Sequence, residues 1–527
     1  MKGWKAPALV FGVICLGLGA GWFFGTAASS VEPEKKASST PDVSPPSTRE
    51  RAPGPARTME RAETGRRIED PEADANGALR NQRTITFSSA EAMKAFLAKI
   101  EGKGIAILGS IDALHTLRVG FLDPDELASL LDGSEEMGFI FPAYIPGQGG
   151  VQAGAIGFGN QYLQWLGARG DRSAWGDGVV VAILDTGVIA GSSFSGQVRS
   201  QAFIEFPSDA SQINGHGTAV AAIIASQLGL APGTSILDYR VADDSGTSDT
   251  YLIAQAILAA TDAGADIINI SLGSRGSSSI LRKAIEYASA AGVVIVASAG
   301  NDGFDSVSYP AAYDGVVAVG AVDAKGELLD FSNRGAVTLV APGLELTSLG
   351  TSGQYVSFSG TSASAPAVTG AIAATMAIRN STSSQALETV LGQANEAGAP
   401  GDDSFYGQGI LNVGRVLTAN VAGFDDVAVA SNHFTYDASG NSIVEVVIEN
   451  RGTTRIINAP LSVDTGSGVR QANIASLAPG AIQSFTFPVS SSSGATVSSS
   501  IQLSNGVTDR IPANNSRADT LAPADTE

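Results

Sequence analysis

The run Val179-Val180-Val181-Ala182-Ile183-Leu184 is apolar at six consecutive positions and ends on Asp185. A strand wetted on one face alternates polar and apolar residues; a strand apolar on both faces must be covered twice. Such a strand belongs to a parallel sheet flanked by helices, and residues 251–263 and 279–291 supply helical stretches between further apolar strands. Residues 161–420 therefore predict an α/β domain. An acid closing a buried strand stands at the carboxyl edge of the sheet, where open α/β folds place their sites.

The chain has 527 residues, too many for one ordinary domain. Lys2 and Lys5 precede an uncharged stretch over residues 6–28, so 1–28 reads as a signal peptide or a membrane anchor. Both put the rest of the chain outside the cytoplasm, secreted or tethered. Residues 29–80 are rich in Ser, Pro, Glu and Arg and read as a disordered linker. Residues 81–147 carry the pattern β-α-β-β-α-β of a small α+β domain, with Met137–Tyr144 as one last strand. Residues 148–160, part of a glycine-rich stretch that begins at Gly147, read as a flexible, exposed processing segment. Residues 424–520 hold short β-rich runs (427–429, 443–448, 484–489, 496–503) between turn residues, an antiparallel sandwich pattern.

Composition narrows the chemistry. The net charge of −20 argues against nucleic acid as a partner. Cys15 is the only cysteine and lies in the first apolar run, so the body of the chain has no disulfide, thiol nucleophile or Cys-based metal site. Hydrolysis here must use hydroxyl, carboxylate or imidazole groups, and His115, His216 and His433 are the only histidines.

Four segments of the α/β region meet the needs of acyl transfer. Asp185-Thr186-Gly187 ends the apolar strand. Gly215-His216-Gly217-Thr218 opens an apolar helix. Ala297-Ser298-Ala299-Gly300-Asn301 ends another buried strand. Gly360-Thr361-Ser362, followed by Pro366, places a serine where a turn enters a helix. A hydroxyl becomes a nucleophile when an imidazole takes its proton, and a buried carboxylate fixes that imidazole's tautomer. The oxyanion needs preorganised donors, which a first-turn N–H and an Asn amide can supply. Ser362, His216, Asp185 and Asn301 fit these roles.

Together and in this order, these segments resemble the subtilisin-like serine proteases over about residues 160–420. The resemblance implies a serine endopeptidase acting on proteins or peptides, with Asp185, His216 and Ser362 as triad and Asn301 as oxyanion donor. It implies substrate-binding strands at Ser245-Gly246-Thr247 and Ser271-Leu272-Gly273, and a primary pocket lined by Ala297, Ser298, Ala299 and Gly300, with Ser308 near its base and Asp302 at its rim. It implies that 81–147 is a propeptide that assists folding and occupies the cleft. No cofactor is required for the chemistry. Structural calcium is a family expectation for which no compact loop pattern appears, and no metal ligands are assigned. Ala363 stands where the family often has Met, and Ser364 where a small residue is usual; neither touches the triad roles. The tail, with Asn450-Arg451-Gly452 and a closing Asn514-Asn515, resembles bacterial adhesion-type sandwich domains and so suggests a cell-surface ligand or a spacer. The competing function is a surface-binding protein whose protease-like domain is only a scaffold.

Overall fold

A computed structural model describes residues 68–520 except 190, 192, 195–197, 210, 211, 490–495 and 505. The signal or anchor at 1–28 and the linker as far as residue 67 lie outside the described residues. The linker reading ends too late. Residues 68–80 are ordered and include helix α1 (Pro71–Asn76), capped by Asp70, whose side chain accepts from Ala73 N. Asp70 also forms a bidentate, buried pair with Arg83, both contacts 2.9 Å. A polar, proline-bearing stretch looks like linker when the charge that holds it lies elsewhere in the chain.

The first domain continues as β1 (Gln82–Thr86), α2 (Ala90–Lys99), β2 (Ile105–Ile111), β3 (Thr116–Phe121), α3 (Pro124–Leu130) and β4 (Glu136–Gly138). The antiparallel sheet runs β2-β3-β1-β4, and Ile85, Phe96, Leu117 and Val119 fill its core. The expected last strand, 137–144, is two strands. β4 belongs to this sheet, whereas β5 (Pro142–Tyr144) leaves it and pairs with residues 247–249 of the next domain.

The α/β domain follows as α4 (Tyr162–Trp165), β6 (Val180–Asp185), β7 (Val198–Ala202), α5 (His216–Ala225), β8 (Ser235–Arg240), β9 (Thr247–Asp249), α6 (Thr250–Asp262), β10 (Ile267–Ile270), α7 (Ser279–Ala290), β11 (Val294–Ser298), β12 (Val316–Val322), β13 (Leu339–Pro342), the hairpin β14 (Leu346–Leu349) and β15 (Tyr355–Phe358), and α8 (Thr361–Arg379), α9 (Ser383–Gly392) and α10 (Val413–Thr418). Its seven-stranded parallel sheet has the order β13-β12-β11-β10-β6-β8-β7. Buried apolar clusters lie on both of its faces, as the two-sided strand required. The chain enters at β6 and builds outward both ways, so the order reverses beside β6 and opens a crevice at its carboxyl end. Helix α8 is long and apolar enough to cross a membrane, but it is buried in this core.

The tail holds β16 (Val427–Tyr436), β17 (Ser442–Asn450), β18 (Ile456–Asp464), β19 (Val469–Leu477), β20 (Ile482–Pro488), β21 (Thr496–Ile501) and β22 (Ser516–Thr520). They form two antiparallel sheets, β16-β17-β20 and β19-β18-β21-β22, over a core that includes Val446, Leu461 and Val497. The sequence reading missed β18, β19 and β22, whose outward residues are largely polar.

Candidate active site

The fold brings the four singled-out residues to the carboxyl edge of the sheet. Asp185 is the last residue of β6 and fully buried. His216 is the first residue of α5, and its Nδ1 lies 2.8 and 3.0 Å from the two Asp185 carboxylate oxygens. With Nδ1–H held by the carboxylate, Nε2 is the basic nitrogen. The edge of the Phe358 ring flanks the imidazole, centroids 5.2 Å apart. His216 Nε2 and Ser362 Oγ are both buried, with no hydrogen-bond partner among the described residues.

Ser362 is the second residue of α8. Gly360 precedes it at φ 113°, in the left-handed region, and a side chain there would strike the Asn301 amide at 2.7 Å. Pro366, one turn on, has no N–H to give to the Ser362 carbonyl. That carbonyl accepts from Ser271 Oγ at 3.3 Å, which ties the nucleophile's backbone to the Ser271–Gly273 segment.

Asn301 has one available orientation. Its Oδ1 accepts from Thr361 N at 2.9 Å and Thr361 Oγ1 at 2.8 Å, so its Nδ2 must face the cleft. There Nδ2 donates to the Gly147 carbonyl at 2.9 Å and stands 3.4 Å from that of Pro146. A backbone carbonyl of the chain's own N-terminal segment thus sits on the amide suited to an oxyanion.

That segment is extended across the cleft. Tyr144 exchanges two backbone hydrogen bonds with Gly273, each 2.8 Å, and Ile145 N donates to Gly246 O at 3.0 Å. β5 runs antiparallel to β9, with Tyr144 opposite Thr247. Gly246, Thr247 and Gly273 therefore contact the segment directly. Ser245 turns to Asp243, and Leu272 is buried beneath the cleft. Ala297 is core. Ser298 is buried too. The Ala299 carbonyl accepts from Ser308 N at 2.8 Å, and Gly300 N donates to Thr361 Oγ1.

Asn333, which the sequence reading missed, organises this wall. Its Nδ2 reaches Ala299 O at 3.2 Å and Ser308 Oγ at 3.4 Å, while its Oδ1 accepts from Asp302 N and Phe304 N, both 3.0 Å. No local pattern marks a lone Asn whose partners lie 25 to 34 residues away. Asp302 is at the exposed rim, paired with Arg275.

Residues 148–160 have no extended regular structure, but they are anchored rather than free. Gln152 bonds Leu328 O and Asp330 N, Ile156 N donates to Asp323, and Phe158 N to Leu344 O. Gly149 presses on Phe331, where a Cβ would come within 2.1 Å of that side chain. Behind the site, Asp238 is buried among the strands, and burial pushes its carboxyl up to about 7, with Asp185 adding to the rise. Among the described residues no three His, Cys, Asp or Glu side chains gather as a metal site.

The comparisons agree with a parallel α/β hydrolase carrying such a site. The sequence model of the Subtilase family matches residues 176–409. Subtilisin DY of Bacillus licheniformis is 37% identical over 249 residues, 45% of this chain and 90% of that protein. An alkaline protease of Alkalihalobacillus alcalophilus is 33% identical over 347 residues, 62% of this chain and 89% of that one. Among solved structures, the epidermin leader peptide processing serine protease of Staphylococcus aureus has a TM-score of 0.53 at 22% identity, covering 64% of this chain and 98% of that one; at that identity the likeness speaks for the fold. This chain belongs to the subtilase family. It is a serine endopeptidase, hydrolysing peptide bonds of proteins through a Ser-His-Asp triad and an acyl-enzyme intermediate, and self-processing of a precursor is consistent with that family.

Proposed function

We propose that Ser362, His216 and Asp185 are this endopeptidase's triad, and that residues 68–147 are an inhibitory propeptide whose carboxyl end is the enzyme's first substrate. The observation that carries this reading is the extended 142–147 segment, paired on both edges with the cleft and presenting the Gly147 carbonyl to Asn301.

His216 Nε2 takes the Ser362 proton as Oγ attacks the carbonyl carbon, and Asp185 stabilises the imidazolium that forms. The oxyanion accepts from Asn301 Nδ2 and from the Ser362 N–H, a first-turn amide with no carbonyl one turn back in its helix. The carbon–nitrogen bond breaks as the imidazolium gives its proton to the leaving amine, and water then hydrolyses the acyl-enzyme by the same steps. Backbone pairing at Gly246 and Gly273 recognises any extended peptide, which suits protein substrates. The 2.9 Å contact to Gly147, against 3.4 Å to Pro146, supports Gly147–Gln148 as the processed bond. The chemistry requires no cofactor. We place the enzyme outside the cytoplasm, secreted or tethered through residues 6–28.

The test is maturation. Wild-type precursor should yield a mature chain beginning at Gln148, whereas Ser362→Ala should stay uncut and lose activity by about 10⁶-fold, the cost of losing the nucleophile in a subtilisin. Casein hydrolysis by Ser362→Ala at the wild-type rate would overturn the triad assignment. A mature chain beginning at Gly147 would overturn the bond assignment, and fully active uncut wild type would overturn the propeptide.

A further inference from the structure

Arg240 closes β8 directly opposite Asp185 in the sheet, yet its guanidinium is 1% exposed and belongs to none of the motifs described above. A buried cation persists only when its donors are satisfied. These are spent on three separate segments. Nη1 donates to the carbonyl of Thr186, the residue after Asp185. Nε and Nη2 reach the carbonyls of Ile204 and Glu205 at 3.2 and 3.3 Å. Nη2 also holds the Asp244 carboxylate at 2.7 Å, and the guanidinium stacks on Phe206, 4.4 Å from the ring centre.

Asp244 carries the connection to the imidazole. Its Oδ1 accepts from Asn214 N at 2.8 Å and its carbonyl from Asn214 Nδ2 at 3.2 Å. Asn214 Oδ1 then accepts from His216 N at 2.9 Å. Thr186 closes the loop from the other side, its Oγ1 3.2 Å from Asn214 O and accepting from Gly217 N at 3.1 Å. Asp244 also lies in the turn that presents Gly246, whose carbonyl pairs with the bound segment.

Resting on the triad reading above, we propose that Arg240 is a positioning residue: through Thr186 and through Asp244–Asn214 it sets Asp185, His216 and the Gly246 strand at fixed distances from one another. The planar fork is essential to this. Lysine keeps the charge but is a single point donor and cannot span carbonyls on one side and a carboxylate on the other. A small displacement of the imidazole from its carboxylate or from Ser362 costs rate out of proportion to its size.

Arg240→Lys, matured with its own N-terminal domain, should fold and lower kcat by about 10- to 100-fold. In an Asp185→Asn background the same substitution should cost less than about threefold, because the pair it positions is already broken. The downfield Nδ1–H proton signal of His216 should shift or broaden in Arg240→Lys. Asp244→Asn, which keeps the size of the side chain while weakening its hold on the guanidinium, should reproduce both effects more weakly and serves if the lysine variant does not fold. Wild-type kcat with an unchanged His216 signal in either folded variant would overturn the proposal, as would losses that simply multiply with Asp185→Asn. Neither outcome touches the triad, whose failure would appear as retained activity in Ser362→Ala.

Discussion

The two domains that flank the protease domain are joined to it by opposite means. The N-terminal domain meets it through an extended strand whose backbone pairs with Gly246, Thr247 and Gly273. Around that strand are single contacts such as Ser278 Oγ to Phe139 O, the water-exposed pair Lys283–Glu136, the largely buried pair Arg118–Asp249, and apolar packing of Ile111, Ile140 and Ala143 against the protease core. The tail is held by charge in the interior. Arg415 of α10 and Arg451 of the tail share Glu449, all three nearly or fully buried, and Glu449 also accepts from Glu396 N at 3.0 Å. Water can replace the backbone pairing and the rim pair of the first junction as it opens, because a backbone edge is as well solvated as it is paired. Opening the second would strand charges that cannot be rehydrated without local unfolding. The first junction suits a domain that can be released, whereas the second makes the tail a fixed extension of the enzyme.

The contrast breaks most readily at Glu449. Glu449→Gln leaves two buried guanidinium groups facing a neutral amide, and losing one partner of a buried pair costs about 3–5 kcal/mol. In the Ser362→Ala background, thermal melting should fall by several degrees, and chymotrypsin should cut at Phe424 faster than in the parent. An unchanged melting temperature and cleavage pattern would put the tail on the same footing as the N-terminal domain.

The same junction should respond to pH. Burial pushes the Glu396 carboxyl up to about 7, with Glu449 and Asp403 adding to the rise and Arg451 opposing it. The folded state therefore holds this proton more tightly than the unfolded chain, whose carboxyl has an ordinary value of 4.5. Stability from this group is complete below about 4.5 and is lost as pH rises through about 7. Glu396→Gln should melt at the same temperature as its parent at pH 4 and above it at pH 8. If the two melting curves stay parallel from pH 4 to pH 8, Glu396 carries no such proton.

The two junctions also differ in how much of them the sequence betrays. The cleft was legible because its chemistry is local: Asp185, His216, Asn301 and Ser362 each sit in a short run of glycines and small residues that close backbone approach demands. The strand that enters the cleft was legible in part, since Met137–Tyr144 is largely apolar and precedes a glycine run, although its break at Phe139–Phe141 was not. The tail junction left no such trace. Glu449 and Arg415 are 34 residues apart, and each alone looks like a surface charge. Arg83 with Asp70 and Asn333 with Ser308 were hidden for the same reason, and Arg240 with Asp244, four residues apart, because neither residue type announces its burial. Charge burial depends on which segments the fold brings together, and apolar periodicity carries no record of it. The polar strands β18 and β19 were lost to periodicity as well, because their inward residues are spaced among Asn, Ser and Gln.

The smallest effect belongs to the rim of the first junction, and its size is the point of the comparison. Lys283 Nζ lies 2.6 Å from Glu136, but the two side chains are 30% and 50% exposed. Exposed pairs of this kind contribute about 0–1 kcal/mol and are screened by salt. Lys283→Ala should weaken inhibition of the mature enzyme by the added N-terminal domain less than about fivefold, since tenfold corresponds to about 1.4 kcal/mol. The difference between variant and parent should vanish at about 1 M salt, where the screening length is about 3 Å. Inhibition constants measured at low and high salt give the answer directly. A loss of a hundredfold, or one that persists in high salt, would mean that this rim is as tightly clamped as the tail, and that backbone pairing at Gly246 and Gly273 is not what holds the strand in the cleft.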